Sequence, residues 1–411
     1  MTKAYPRLRL KYAVDLRRNR TDGADSDLPY VGLENIESGT GRLITSASGA
    51  EDDPSMTVGG ESLSAVFQAG DILFGKLRPY LAKVWIASFD GRCSTELLPL
   101  KPEKLNSRFG LYIMLSREFI DAVDGSTFGS KMPRADWAFI GNVPIPLPTL
   151  STQEDIADFL DRETTYIDSL IAAKQKLLDL LAEKRRAIVA EAVMRGLDPS
   201  APMRPSGIDW LGEIPAHWQV RRIATLFSQR DERSEPDLPL LEVSINAGVV
   251  VREFSSDKIE GTAADFNTYK VARQGDIAFN KMRMWQGAVG VAPVDGLVSP
   301  DYTVACAKAE LLPDYAGQLF RTASFSAECG RNSQGITWDR LRLYWGGFRD
   351  IFMPLPPLDE QQQIVEHIST ETAKIDRLRT ATENSIALLK ERRAALIAAA
   401  VTGQLEIPEA A

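Results

Sequence analysis

The sequence predicts an α+β protein: two similar globular domains separated by two long antiparallel α-helices, a coiled-coil spacer, with an internal pseudo-twofold repeat. Three observations lead there. Sliding the chain along itself by 208 residues lays Pro146-Leu147-Pro148 on Pro354-Leu355-Pro356, Gln153 on Gln361, Ile167-Asp168 on Ile375-Asp376 and Arg185 on Arg393, without a gap. The matched stretches carry helical periodicity for more than forty residues, roughly 65 Å at about 1.5 Å per residue and longer than one compact core is wide. Ahead of each, short β-branched and aromatic runs alternate with Gly, Asp and Ser clusters, the mark of mixed sheet and helix.

In chain order, residues 1–150 form the first globular domain. Strands are expected over 30–33, 72–74 and 84–86, and a helix over 107–123. The first long helix takes residues 151–197. Ser151 with Glu154 stands where a capping box belongs, no proline interrupts the helix beyond it, and Gly196 offers a stop. Residues 198–217, rich in Pro, Gly and Ser, read as a linker. The second domain covers 218–357 and the second long helix 358–403, with Asp359 and Gln362 as its capping pair and Gly403 as its stop. Residues 404–411 are a tail. Ile167, Leu170, Lys174, Leu177, Leu181, Lys184 and Ile188 of the first helix, and Ile375, Leu378, Thr382, Ser385, Leu389, Arg392 and Leu396 of the second, alternate spacings of three and four, and their apolar members define a seam along which the two would pack.

Composition narrows the function. The chain has 411 residues and a net charge of −8, against the strongly basic footprint of a non-specific polyelectrolyte binder, yet compatible with local basic patches. No signal-like or membrane-length apolar run is present, and Cys93, Cys306 and Cys329 show no paired spacing, so a reduced, cytoplasmic protein without membrane contact is expected. Catalytic motifs are missing or broken. Gly70-x-x-x-x-Gly75-Lys76 is followed by Leu77 instead of a hydroxyl residue, and its repeat carries Asn280 in place of the second glycine, so no phosphate loop forms. Pro300-Asp301 with Lys308 lacks the second acid of a nuclease cluster, because Cys306 stands there. His217 and His367 are the only histidines and lie far apart, leaving little for a metal site or a triad. No Asn-Pro-Pro-aromatic run or glycine-rich strand-to-helix turn supports a methyltransferase or dinucleotide site.

Two regions remain as candidates for reading a polyanion. Gly70-Asp71-Ile72-Leu73-Phe74-Gly75-Lys76-Leu77-Arg78 matches Gly275-Asp276-Ile277-Ala278-Phe279-Asn280-Lys281-Met282-Arg283. Each ends in a basic pair just past a strand, Lys76 with Arg78 and Lys281 with Arg283, accompanied by Tyr80 and Trp285. The second region is the loop carrying Lys131 and Arg134, with its counterpart carrying Gln334 and Arg340. Arg offers a planar fork to guanine, Gln pairs with adenine and Lys anchors phosphate.

With these residues in view, the chain resembles the specificity subunit of Type I restriction–modification systems. The resemblance rests on the doubled Pro-Leu-Pro…Gln…Ile start of a long helix and on the run Ser206-Gly207-Ile208-Asp209-Trp210-Leu211-Gly212-Glu213-Ile214-Pro215-Ala216-His217-Trp218. The stretches 70–80 and 279–300 add to it. The first half lacks the Trp-Leu-Gly opening. What the resemblance implies is a non-catalytic subunit with two target-recognition domains, each reading half of a bipartite site in double-stranded DNA. Its helices would set the gap and dock DNA adenine methyltransferase (modification) subunits. Motor–nuclease (restriction) subunits would join them, and S-adenosylmethionine, ATP and Mg²⁺ would belong to those partners, leaving this chain without a cofactor or metal. The competing readings are a coiled-coil scaffold for protein partners and a cryptic nuclease or methyltransferase.

Overall fold

A computed structural model of the chain describes residues 5–22, 27–44, 63–129, 131–233, 235–252, 266–337 and 340–407. Ser130, Trp338 and Asp339 of the two candidate loops lie outside the described residues. The fold is α+β, and it divides into two compact units. One is Met1–Gln175 with Glu383–Ala411, the other Lys176–Thr382.

In the first unit a four-stranded antiparallel sheet runs in the order Val14–Leu16, Leu97–Pro102, Ile72–Gly75, Val84–Ile86. All four residues of the strand Ile72–Gly75 are buried, which is why its apolar run is continuous instead of alternating with polar residues. Its side chains still alternate between faces. Ile72 and Phe74 join a core with Phe109, Tyr112 and Ile113 of the helix Ser107–Leu115, while Leu73 joins Phe67, Trp85 and Cys93. A second sheet, ordered Arg20–Thr21, Ser64–Phe67, Gly91–Cys93, Tyr30–Val31, has its last pair parallel. The helix expected over 107–123 is two helices, because Ser116 leaves helical geometry and caps Arg117–Asp124 through its hydroxyl. Arg7–Arg9 pairs with Pro144–Pro146 and brings the two ends of the domain together.

The second unit repeats this plan. Its sheet runs Phe227–Arg230, Tyr302–Ala307, Ile277–Asn280, Val289–Val291, with Ile277 and Phe279 facing one core and Ala278 the other. Gln219–Arg222 pairs with Phe352–Leu355 as the closing ribbon. The stretch expected to be a bare linker, 198–217, instead contains a hairpin, Met203–Pro205 with Glu213–Pro215. Its reason is apolar: Leu211, Ile214 and Trp218 are buried, and Trp218 Nε1 and His217 Nε2 both meet Glu360 Oε2, at 2.9 and 2.8 Å.

The long helices are Leu150–Arg195 and Leu358–Thr402, of 46 and 45 residues. Gly196 and Gly403 come directly after them with φ of +78° and +77°, the left-handed conformation that glycine adopts without steric cost. The capping boxes at Ser151 and Asp359 do not form, because both residues already lie inside the first turn. The Thr149 hydroxyl accepts from the Thr152 N–H at 3.4 Å, and the Pro357 carbonyl accepts from the Gln361 N–H at 3.0 Å. A buried glutamine at the same position of each first turn shows what sets these starts. Gln153 Oε1 accepts from the Asn106 N–H at 2.8 Å, and its Nε2 donates to the Pro148 carbonyl at 2.9 Å and the Lys104 carbonyl at 3.4 Å. Gln361 does the same with Leu312, Pro356 and Glu310, at 2.8, 2.9 and 3.1 Å.

Within the first unit Ile156, Ala157 and Leu160 share a core with Ile397, Ala400 and Val401, and Asp168 accepts from Arg393 at 3.0 Å. The two segments therefore run antiparallel. Within the second unit Ala192 and Val193 share a core with Ile364 and Ile368, and Arg185 lies 3.9 Å from Asp376, again antiparallel. The two ion pairs use matched residues with their roles exchanged. Of the seam residues, Ile167, Leu181 and Ile375 are buried, and Leu170, Ile188, Leu389 and Leu396 are half-buried. Leu177 and Leu378 depart from the expectation: they are 43% and 57% exposed. Strict heptad spacing drifts by about 20° per heptad against a straight helix; Thr382, on that spacing, is buried, and buried Ile386, off it, takes up part of the packed face.

Candidate nucleic-acid interface

Each unit brings its two candidate regions together by the same backbone contact. In the first, the strand Ile72–Gly75 ends at Lys76, whose carbonyl accepts from the Ala135 N–H at 3.0 Å; the Arg78 N–H donates to the Pro133 carbonyl at 2.8 Å. In the second, the Lys281 carbonyl accepts from the Leu343 N–H at 2.9 Å. The loops are themselves closed alike. Phe128 and Arg134 exchange both backbone bonds at 3.1 Å, and Gln334 and Arg342 do so at 2.9 Å. Lys76 and Lys281 are half-buried, whereas Arg78, Tyr80, Lys131, Arg283, Gln334 and Arg340 are exposed.

The motif that ends in these cations has a structural first half. Gly70 and Gly275 hold φ of +89° and +88°, turning the chain into the central strand. The next residue, Asp71 or Asp276, is buried, accepts from the Gln68 or Arg273 N–H at 2.8 or 2.9 Å, and ion-pairs with Arg17 or Arg230. A buried carboxylate is tolerable only when paired in this way. So Gly-Asp builds the turn, and the residues after the strand carry the exposed charge.

Arg78 is held at φ +49°, and Ala82 at +46°, the only positive-φ residues other than glycine among the described residues. Left-handed geometry costs an ordinary side chain about 1–2 kcal/mol, and such strain gathers where a side chain must be aimed. Arg134 is not presented alone: its Nε donates to both Glu96 oxygens, at 3.0 and 3.2 Å. It holds the loop against the sheet instead of offering a free fork. Trp285 donates from Nε1 to the Met282 carbonyl at 3.0 Å and lines a hollow of about 460 Å³ with Gly330, Ile336 and Leu341. Phe128 and Ile336 stand 64% and 101% exposed, one in each loop.

Sequence reasoning missed a second cationic element. Arg18 and Arg20 lie beside Lys76 in a cleft of about 400 Å³ in the first unit. The density of arginine at 17, 18 and 20 was the available signal, but nothing local said those side chains would share a hollow. In the second unit Lys270 is buried, its Nζ donates to the Tyr302 carbonyl at 2.9 Å, and burial with nearby Lys281 pulls its ammonium below the usual lysine range. Among the described residues no group of three His, Cys, Asp or Glu side chains is placed to hold a metal, and no helix is long and apolar enough to cross a membrane.

The two α+β units each present a strand-end cation pair against a closed loop. Residues 58–179 match the family described as Type I restriction modification DNA specificity domain. The chain is 29% identical over 191 residues to the Type I restriction enzyme EcoDI specificity subunit of Escherichia coli, an alignment covering 46% of this chain and 38% of that one. It is 22% identical over 323 residues to the EcoKI specificity subunit of E. coli strain K12, covering 74% and 67%. A solved chain of a type I R-M system superposes with a TM-score of 0.73 at 18% identity over 98% of both chains. The HsdS subunit from Thermoanaerobacter tengcongensis gives 0.55 at 18% identity, over 98% of this chain and 97% of that one. The likeness to the two solved chains gives the fold, and the chain's alignments span 38% and 67% of the length of these two curated relatives.

Proposed function

We propose that the chain is the sequence-reading subunit of a Type I restriction–modification complex and binds a bipartite site in double-stranded DNA, one half per unit. The observation that carries this is the duplicated locking of a basic strand end to a closed loop, Lys76 to Ala135 and Lys281 to Leu343. A rigid scaffold that aims a few cationic and amide side chains suits base-edge reading, while surrounding Lys and Arg hold phosphates. Arg78 and Arg283 read bases; Lys76, Lys131 and Lys281 position the duplex; Tyr80, Trp285, Gln334 and Arg340 flank them. The chain itself is non-catalytic in this reading. Adenine methylation with S-adenosylmethionine, and ATP- and Mg²⁺-dependent translocation and cutting, belong to modification and restriction subunits that dock on it in the cytoplasm.

Mapping methylated adenines in host DNA with the chain present and deleted tests the proposal. A split motif whose methylation vanishes with the chain is the expected outcome. An unchanged methylation map, or methyl transfer by the purified chain alone, contradicts it.

A further inference from the structure

We infer that the cleft of the first unit is a phosphodiester site without a counterpart in the second, so that the two units grip the DNA backbone unequally. The inference rests on the DNA-reading role proposed above. Sheet register makes the comparison residue by residue. Arg17 N–H bonds to the Pro99 carbonyl, and Arg230 pairs with Val304 on the matching strand, so the two arginines correspond. Both pair with the buried aspartate, Asp71 or Asp276. Beyond them Arg18 stands where Asp231 does, Asn19 where Glu232 does, and Arg20 where Arg233 does. Arg20 pairs with Ala65, as Arg233 does with Lys270.

These exchanges decide what each hollow can hold. In the first unit Arg18, Arg20 and Lys76 line the opening, no carboxylate is among its described lining residues, and the small Ala65 leaves it open. Arg18 and Arg20 are exposed. In the second unit the Lys270 side chain fills the equivalent place, with Asp231 at 3.6 Å from its Nζ. Asp231 also pairs with Arg233 at 3.1 Å, and Glu232 with both Arg230 and Arg273. One hollow is open and cationic; the other is filled and neutralised. Guanidinium groups clustered with one ammonium around an open cleft are suited to consecutive backbone phosphates and carry no base information.

The test uses the chain in complex with its modification subunits and a duplex holding the methylated site, with affinity measured across salt concentration. Each phosphate contact contributes about −0.9 to the slope of log affinity against log salt. Removing two contacts in Arg18→Ala/Arg20→Ala is expected to lower the slope by about 1.8, so the affinity lost between about 50 and about 200 mM salt shrinks roughly tenfold. Arg18→Asp/Asn19→Glu, which copies the second unit on an exposed edge, should weaken binding at least as much. The methylated motif should stay the same in both. Wild-type binding with an unchanged slope in both variants overturns the phosphate site alone. Absence of salt-dependent binding by the wild-type complex overturns this inference and the DNA-reading role together. A changed motif would mean that Arg18 or Arg20 reads bases, and would also overturn it.

Discussion

Cys93 shows how a single residue's burial becomes a property of the whole domain. It sits fully buried beside Asp71, and desolvation, with the neighbouring carboxylate adding to it, pushes its thiol from 9.0 up to about 12. The unfolded chain therefore loses this proton at lower pH than the folded one. Stability from the protonated thiol is complete below pH 9 and declines between there and about 12, approaching about 1.4 kcal/mol per pH unit. Urea unfolding of wild type and Cys93→Ala across that window should show the steeper alkaline decline only in the wild type; parallel curves would refute the assignment. The same scale explains why Arg134 is misleading in the sequence. A basic residue in a glycine-containing loop looks available, but its partner, Glu96, is 38 positions away, and only the fold reveals that it is already engaged. Arg18 and Arg20 are hidden in the sequence for the converse reason: their significance comes from Ala65 across the sheet, and no local spacing encodes that.

At the scale of elements, the long helices are legible because their signals are local: unbroken periodicity, no internal proline, and Gly196 and Gly403 just beyond their ends. Their beginnings differ from the expected ones by one residue or less, yet the expected caps are not caps. Ser151 and Asp359 have the right chemistry, but tertiary bonds from Gln153 and Gln361 fix where the first turn lies. Each glutamine satisfies backbone groups of the globular domain that precedes it, so truncation would strand buried donors and acceptors at about 1–3 kcal/mol. Gln153→Ala and Gln361→Ala should each lower stability by that amount in denaturant unfolding, and a loss below about 0.5 kcal/mol in either would show that water replaces the side chain without cost. The hairpin within 198–217 is not legible locally because Pro, Gly and Ser suggest a loop by composition, while the docking of Trp218 on Glu360 depends on residues more than a hundred positions away. Leu177 and Leu378 belong to the seam on spacing alone, and spacing cannot say which of two adjacent apolar stripes a straight helix buries.

For the molecule as a whole, duplication is the most informative signal, and it persists from backbone to side chain. Sheet order, the Gly-Asp turn, the buried glutamine and the Asp168–Arg393 and Arg185–Asp376 pairs recur between repeats. Resemblance between the halves extends to the frame and not to the proposed reading surface, where Arg18 meets Asp231 and Ala65 meets Lys270. A shared frame with divergent tips suits the proposed reading of two different half-sites, since discrimination comes from the side chains aimed at base edges. The central claim is that each unit reads its own half. Its most direct measurement is methylation mapping in cells carrying Arg78→Ala or Arg283→Ala alongside the modification subunits. Each substitution is expected to relax or abolish one half of the split motif, and the two are expected to affect opposite halves. Loss of the same half by both, or a methylated motif that is not split, would contradict it.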